Sequence, residues 1–227
     1  VSVDFGWSLR WGDMFEMRAN FFANKINDMI LFQPIAQKLS GGNVWTYFNL
    51  NSAYTRGIEA KFKLSPPSER IGLPNWIRLA LDASYQYLTS GDEAKLDSIR
   101  AGRVGYVDSR GHYHRTTESE YGGLVGRAEH SGLLRLSAEV PDQGITFSFR
   151  ANFRGKYGFY DYNGNGVIDE EKEFAPGYVL MNATLNIRFT CGLAASVGVD
   201  NLTDKSDYRM LAMNPGRTLF VGLKYEF

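Results

Sequence analysis

ITFSFRANFR, residues 145–154, places an apolar side chain at every second position. The same alternation recurs in 77–87 and in 179–189. A helix would scatter such residues around its axis, whereas a β-strand puts each set on one face. These three stretches are therefore predicted to be strands. In the first of them the apolar set is Ile145, Phe147, Phe149, Ala151 and Phe153.

Alternation of this kind extends along most of the 227 residues and predicts nine strands. Many are longer than the five or six residues that are usual in globular proteins. About ten tilted residues cross a bilayer, so these lengths fit a membrane-spanning barrel. The predicted strands are 1–11, 14–32, 45–64, 76–89, 122–140, 144–159, 177–190, 193–203 and 217–227.

The connections between the predicted strands alternate in length. Short turns at one end and long loops at the other are typical of outer-membrane barrels, whose long loops lie outside the cell. We therefore predict an all-β fold, an antiparallel transmembrane β-barrel. The turns are 12–13, 65–75 (the longest), 141–144 and 191–192, and the loops are 33–44, 90–121, 160–176 and 204–216.

Composition excludes several classes of protein. A formal net charge of zero argues against a nucleic-acid partner, which would require a basic face. Cys191 is the single cysteine, so neither a disulfide framework nor a cysteine-rich metal site is expected. No apolar run reaches eighteen residues, so no transmembrane helix is expected. The sequence holds no hydrolase, zinc-protease or phosphate-loop motif, and we expect no enzymatic activity.

Alternation by itself is also compatible with a soluble β-sandwich or a lipocalin-like barrel, in which the apolar set points inward. Three features favour the membrane barrel. The polar positions carry Arg, Lys, Asp and Glu in strand after strand, as a wet lumen would, and Tyr and Phe cluster near strand ends, as in aromatic girdles. The third feature is the final strand. Its alternate residues Leu223, Tyr225 and Phe227 resemble the C-terminal signal by which bacterial barrels are recognised for insertion.

Three further segments carry a family resemblance. GVDNLTDK at 198–205, followed by NPGRTLFVGL at 214–223, resembles the end of TonB-dependent receptors. Upstream, NSAYTRGIEA at 51–60 is similar to a mid-barrel strand of that family. The resemblance extends from about residue 49 to the end of the chain.

This resemblance implies a 22-stranded barrel with an N-terminal plug and a TonB-contacting segment. We expect residues 1–227 to be the C-terminal part of such a barrel, strands 14 to 22, with the plug domain and the N-terminal strands absent. Nine strands alone would leave two open edges in lipid, where each unpaired backbone group costs several kcal/mol. The expected partners are the remainder of the barrel and plug, the TonB system, outer-membrane lipid and a small-molecule or glycan cargo. A surface lipoprotein is a further candidate partner.

The implied function is uptake of a scarce, large nutrient (a siderophore, haem, cobalamin or a glycan) across the bacterial outer membrane, with energy from TonB. Two alternatives stay open from the sequence. One is a passive porin-like or structural barrel in the same membrane. The other is a soluble calcium-binding β-lectin.

One motif carries metal chemistry. The segment 161–169 matches an EF-hand calcium loop at positions 1, 3, 5, 6 and 9. Position 12 is Lys172 where a bidentate Glu is expected, and Glu171 or Glu173 could substitute. The alternative is a Gly- and Asn-rich turn with solvated acids. The predicted Ca²⁺ ligands are Asp161, Asn163, Asn165, the Val167 carbonyl and Asp169.

Two other sets of polar residues are candidate binding sites. His112 and His114, in the loop 90–121, could capture haem or a metal, and solvated loop histidines are the alternative. Charged residues at the polar strand positions could line the lumen and contact cargo or plug. These are Arg78, Asp82, Arg150 and Arg188.

Overall fold

The computed structural model describes residues 1–40, 43–108, 110–207 and 214–225. Within these ranges the chain consists mostly of strands, with one α-helix, α1 (Glu93–Arg100), and three short 3-10 helices at Ser68–Ile71, Pro141–Gln143 and Glu171–Glu173. The strands are β1 (Ser2–Trp11), β2 (Phe15–Gln37), β3 (Asn43–Leu64), β4 (Arg78–Asp92), β5 (Gly105–Val107), β6 (Tyr113–Arg115), β7 (His130–Val140), β8 (Ile145–Arg154), β9 (Tyr157–Gly158), β10 (Phe174–Ala175), β11 (Tyr178–Arg188), β12 (Leu193–Asp200) and β13 (Thr218–Tyr225).

Nine strands form one antiparallel sheet in the order β1-β2-β3-β4-β7-β8-β11-β12-β13. Each pairs with the next long strand along the chain, so the sheet is a meander. β1 and β13 lie at its two ends, and the sheet is not closed. The remaining four strands form two small hairpins, β5–β6 and β9–β10, in the loops. The predicted nine-stranded antiparallel architecture is confirmed.

The register of the sheet brings apolar side chains from all nine strands onto one face. Successive cross-strand partners form one apolar row from β1 to β13. A shift of one residue in the pairing of two strands would send every side chain of one strand to the other face. The unbroken row therefore shows that the apolar positions of each strand lie beside the apolar positions of its neighbours. The row is Trp11, Phe15, Leu64, Leu81, Leu136, Phe149, Ala183, Val199 and Leu219.

The opposite face of the sheet is polar and charged. One residue away from the apolar row, a second row crosses seven strands. Arg78 and Arg188 lie an even number of residues from the member of this row in their own strands, Asp82 and Asn182, so they are on the same face. All four predicted lumen charges therefore lie on the polar face. The row is Arg10, Glu16, Lys63, Asp82, Arg135, Arg150 and Asn182.

Large apolar side chains on the apolar face are exposed, which favours a membrane barrel over a soluble one. Phe5 is 67% exposed, Leu219 75% and Val221 78%. A water-soluble protein would bury such a contiguous apolar surface, whereas a transmembrane barrel presents it to lipid. No helix in the described ranges is long and apolar enough to cross a membrane.

The connections alternate as predicted, with two corrections to strand boundaries. β7 begins at His130, not at 122, because Gly123 and Gly126 adopt φ of +72° and +74°, a left-handed backbone conformation that strand residues do not adopt. The predicted loop 33–44 is mostly strand, since β2 continues to Gln37 and β3 begins at Asn43. Cross-strand ring contacts support this extension: Phe32 lies 4.9 Å from Tyr47 and 5.2 Å from Trp45 between ring centroids.

Candidate functional site

Two long loops, 93–129 and 155–177, pack together at the end of the sheet opposite the short turns, and we call them the loop unit. Most buried apolar residues of the described chain lie in this unit rather than on the sheet. One cluster contains Ile99, Val104 and Val167, with Tyr121 packed against it. A second contains Ala128, Tyr157 and Ala175, with Phe159 and Tyr178 packed against it.

Polar contacts join the two loops across long sequence separations. The Thr116 hydroxyl donates to the carboxylate of Asp169, and both residues are buried. The backbone N–H of Gly122 donates to the carbonyl of Ile168 over 2.7 Å. Asn165 donates from its side-chain amide to the Gly105 carbonyl over 3.4 Å. These bonds, together with the apolar clusters, make the two loops one ordered body.

Glu173 organises the second loop from its centre. Its side chain is fully buried, and its carboxylate accepts four backbone N–H groups. Oε1 accepts from Tyr162 over 2.8 Å and Asn163 over 3.0 Å. Oε2 accepts from Asp169 over 2.9 Å and Glu170 over 3.1 Å. Burial raises the pKa of Glu173, and the N–H donors of Asp169, Glu170 and Asn163 oppose that rise.

The predicted calcium ligands come together in this loop, where their oxygens accept hydrogen bonds from the loop itself. Asp161 accepts from the N–H groups of Gly164 and Gly166, both over 2.7 Å. Asn163 accepts from the N–H of Asn165 over 3.0 Å, and Asn165 accepts from the N–H of Val167 over the same distance. Burial raises the pKa of Asp161.

Asp169 is bonded to the two asparagines of the motif, whose side-chain amides donate to it over 2.9 Å (Asn163) and 2.8 Å (Asn165). A cation beside Asp169 would therefore require both amides to turn their oxygens towards it. Lys172 pairs with Glu170 over 2.7 Å, Glu171 pairs with Lys156, and Glu173 is occupied by backbone N–H groups. Among the described residues no group of three or more His, Cys, Asp or Glu side chains is placed to hold a metal. Calcium binding at 161–169 stays a prediction.

A hollow of about 450 Å³, which we call the loop hollow, lies between the loop unit and the ends of β2 and β3. Its lining combines an apolar and aromatic surface with a few polar groups, as ligand sites do. The apolar part includes Ile35, Leu50, Leu124 and Phe159, and the polar part includes Asn49, Asp92, Lys95, Tyr121 and Asp161.

The polar groups of the loop hollow are held in place by the start of α1. Asp92 caps this helix, since its Oδ1 accepts from the N–H of Ala94 over 2.9 Å. The N–H of Asp92 donates to the Tyr121 hydroxyl over 3.0 Å, and burial raises the pKa of Tyr121 to about 12. Tyr121 is thus neutral at physiological pH and keeps a hydroxyl proton to donate. Sequence reasoning missed this site, because its residues come from five separate segments.

The two loop histidines do not converge on one site. His114 lies 2.8 Å from Glu120, and its ring lies at a tilt beside that of Tyr106, with 5.0 Å between ring centroids. His112 lies 3.7 Å from Asp108, on the other side of the β5–β6 hairpin turn. Each histidine therefore has its own acidic partner.

Two residues of the predicted insertion signal, Leu223 and Tyr225, belong to the edge strand β13. Leu223 and Tyr225 lie on the apolar face, 74% and 56% exposed, and pair with Ala195 and Leu193 of β12. Phe227 lies outside the described residues. Whether these residues act as an insertion signal stays a prediction.

Comparison with known proteins agrees with this geometry. A sequence profile of the TonB dependent receptor-like β-barrel family matches residues 1–202. No curated protein matches the chain.

Similar solved structures include the copper transporter OprC (17% identity, TM-score 0.60, 100% of this chain and 31% of that chain). A mutant of the ferric enterobactin receptor PfeA from Pseudomonas aeruginosa gives 18% identity, a TM-score of 0.59 and coverage of 100% and 31%. The siderophore receptor PirA from Acinetobacter baumannii is 16% identical with a TM-score of 0.59, and the match covers 100% of this chain and 32% of that chain. The chain thus spans about a third of the length of these structures.

The two-faced antiparallel sheet, with short turns at one end and ordered long loops at the other, defines the chain as wall of an integral outer-membrane β-barrel. The chain belongs to the TonB-dependent receptor family.

Proposed function

We propose that this chain is the C-terminal part of a TonB-dependent receptor that takes up a scarce, large nutrient across the outer membrane. The observation that carries the proposal is the loop hollow, which lies at the long-loop end of a barrel sheet of this family. Its aromatic and apolar lining, with Lys95, Asp161 and the Tyr121 hydroxyl, suits an amphipathic cargo. Hydrogen bonds between the two loops of the loop unit hold the lining in place, which would reduce the entropy lost on binding.

The remainder of the receptor is part of the proposal. With nine strands here, thirteen more would complete a 22-stranded barrel and pair with the edges of β1 and β13. A plug would fill the lumen against the charged polar face, and TonB would supply energy through it. The part of the known structures that this chain covers, about a third, supports this division.

The cargo class is proposed as a siderophore, haem, cobalamin or glycan. Among the similar structures are receptors for a siderophore and for ferric enterobactin, and a copper transporter. At identities of 13–18% these structures support the barrel, and the cargo must be found by experiment. A surface lipoprotein is retained as a candidate partner.

The test is uptake by cells that carry the full-length receptor, with and without TonB. Labelled ferric siderophores, haem, cobalamin and oligosaccharides would be offered in turn. We expect accumulation of one class that requires TonB and falls at least tenfold in a Lys95→Gln, Tyr121→Phe double variant. The matched control, Lys172→Gln, removes a lysine of the same loop unit that does not line the hollow.

The alternatives give different results. A passive porin would conduct ions steadily in a planar bilayer and would admit solutes without TonB, and either outcome would replace the receptor proposal. The soluble β-lectin is excluded by the exposed apolar face and by membership of the family.

A further inference from the structure

Charges on the polar face alternate in sign along most of the row that crosses it. Each member of this polar row lies directly opposite the next one, on the neighbouring strand. Opposite charges at facing positions stabilise a pair of strands, and like charges destabilise it. The first five members follow the stabilising order, positive and negative in turn. They are Arg10, Glu16, Lys63, Asp82 and Arg135.

The alternation breaks at Arg150, the sixth member of the row. Arg150 lies directly opposite Arg135, at the position where the order calls for an acid. The Cβ atoms of such facing residues are about 4.5–5.5 Å apart, so two positive charges meet on neighbouring strands. Neither arginine takes part in an ion pair among the described residues.

The acids of the same face do not supply the charge that is missing at Arg150. Asp82 faces Arg135 from the other side and also faces Lys63, so one carboxylate is shared by two cations. Glu139, the other acid of β7, lies two rows nearer the short turn, opposite Arg78. The remaining positions around Arg150 on this face are uncharged. They are Ser148, Asn152, Leu133, Ser137, Leu180 and Thr184.

Asn182, the last member of the row, adds hydrogen-bond donors beside Arg150. Its side-chain oxygen accepts from the N–H of Asn201 over 3.1 Å, which leaves its amide N–H groups to donate. Arg135, Arg150 and Asn182 thus present N–H donors at three consecutive positions of the lumen wall. A carboxylate suits such a set, because its two oxygens accept bidentate hydrogen bonds from a guanidinium group.

The two arginines lie in the middle of the wall, away from both ends of the barrel. Arg135 is the sixth of the eleven residues of β7, and Arg150 is the sixth of the ten residues of β8. Each lies five residues, about 17 Å along the strand, from the short turn that joins β7 to β8. The group that binds them therefore lies inside the lumen.

We propose that Arg135, Arg150 and Asn182 bind the carboxylate of an Asp or Glu of the plug, whose surface against β7 and β8 is accordingly acidic. This inference rests on the proposed function, in which a plug fills the lumen. A carboxylate beside Arg150 restores the alternation of charge that the row otherwise loses. Because the two arginines face each other whether or not cargo is present, a resident group of the plug fits better than an anionic cargo.

The test joins the two partners chemically in the purified full-length receptor, without cargo. Arg150→Lys keeps the positive charge and adds an amine, which a water-soluble carbodiimide couples to a carboxylate in contact with it. Mass spectrometry then identifies the cross-linked peptides. We expect the introduced amine to be joined to an Asp or Glu of the plug, outside residues 1–227. Lys63 is an internal positive control, since Glu16 and Asp82 face it in every sample.

Ser148→Lys is the matched control. It places the same amine on the same strand and face, about 7 Å from Arg150, and we expect roughly tenfold less coupling to the same carboxylate. Equal coupling from the two positions would overturn the proposal. Coupling of the amine at position 150 only to acids of residues 1–227, or no coupling there while Lys63 reacts, would also overturn it. Resistance of each variant to SDS before boiling confirms that its barrel is folded.

A separate measurement distinguishes failure of this inference from failure of the proposed function. Intact mass and N-terminal sequencing of the full-length receptor show whether a plug precedes these strands. A receptor without a plug would overturn both proposals. A receptor with a plug and TonB-dependent uptake, but without coupling at position 150, would overturn the assignment of Arg135 and Arg150 alone.

Discussion

Replacing Leu136 by arginine tests which face of the sheet meets lipid. Leu136 lies in the apolar row of β7 and is 43% exposed. It is four residues from Val140, at the end of β7 near the short turns. At about 3.4 Å per residue and a tilt of about 40°, it is roughly 10 Å from that end, close to the middle of an apolar band about 25 Å tall.

An arginine at this depth on the lipid face costs roughly 2–4 kcal/mol. We therefore expect the Leu136→Arg receptor to lose about 3 kcal/mol of unfolding free energy, or roughly a hundredfold in the folding equilibrium. The matched control is Ser137→Arg, on the polar face opposite Ala80 and Ser148, where the new charge lies among polar side chains and away from lipid. We expect a change within about 0.5 kcal/mol there.

The measurement is equilibrium unfolding of the full-length receptor in lipid vesicles by guanidinium chloride, followed by tryptophan fluorescence. If the apolar face met water, Leu136→Arg would be as harmless as the control, because exposed surface substitutions rarely exceed about 0.5 kcal/mol. A loss below about 1 kcal/mol for Leu136→Arg, or an equal loss for both variants, would refute the assignment of faces.

Three other predictions concern the loops and the strand packing. Glu173→Gln should leave two buried N–H donors without acceptors, at a cost of about 1–3 kcal/mol each. Amide hydrogen exchange in residues 161–173 should therefore become faster. The control Glu171→Gln, at the surface, should leave the exchange rates unchanged. Gly57→Ala should weaken the β3–β4 pairing by several kcal/mol in denaturant unfolding, since a Cβ would stand 2.0 Å from the Tyr87 carbonyl oxygen. Calorimetric titration should detect one Ca²⁺ per chain and none in Asp161→Asn, and a wild type that takes up no Ca²⁺ at millimolar concentration would remove the calcium prediction.

The sequence alone determined the repeating part of this protein. Period-two alternation is a local property, because each residue's face follows from its neighbours two positions away. It therefore predicted nine strands, their antiparallel order and the alternation of short turns with long loops. The family resemblance at 198–205 and 214–223 added the class of barrel, which the profile match over 1–202 confirms.

The sequence determined the ends of the strands less well, and single residues show why. The sequence at 122–129 is compatible with a strand, but Gly123 and Gly126 take left-handed conformations, and the N–H of Gly126 donates to the Gly158 carbonyl over 2.8 Å. Conversely, the alternation predicts a loop at residues 33–44. In the structure Phe32 and Tyr47 pair across a β2–β3 hairpin that extends well beyond β1 and β4.

Only the tertiary structure decided how the loops are organised. Thr116 meets Asp169 over 53 residues of sequence, and Glu173, a candidate metal ligand from its spacing, proved to be the acceptor for four backbone N–H groups. The loop hollow likewise joins segments that share no local pattern. The alternation in each strand fixes only which face a side chain occupies. Which distant side chains meet depends on strand register and loop packing, and those are properties of the folded chain as a whole.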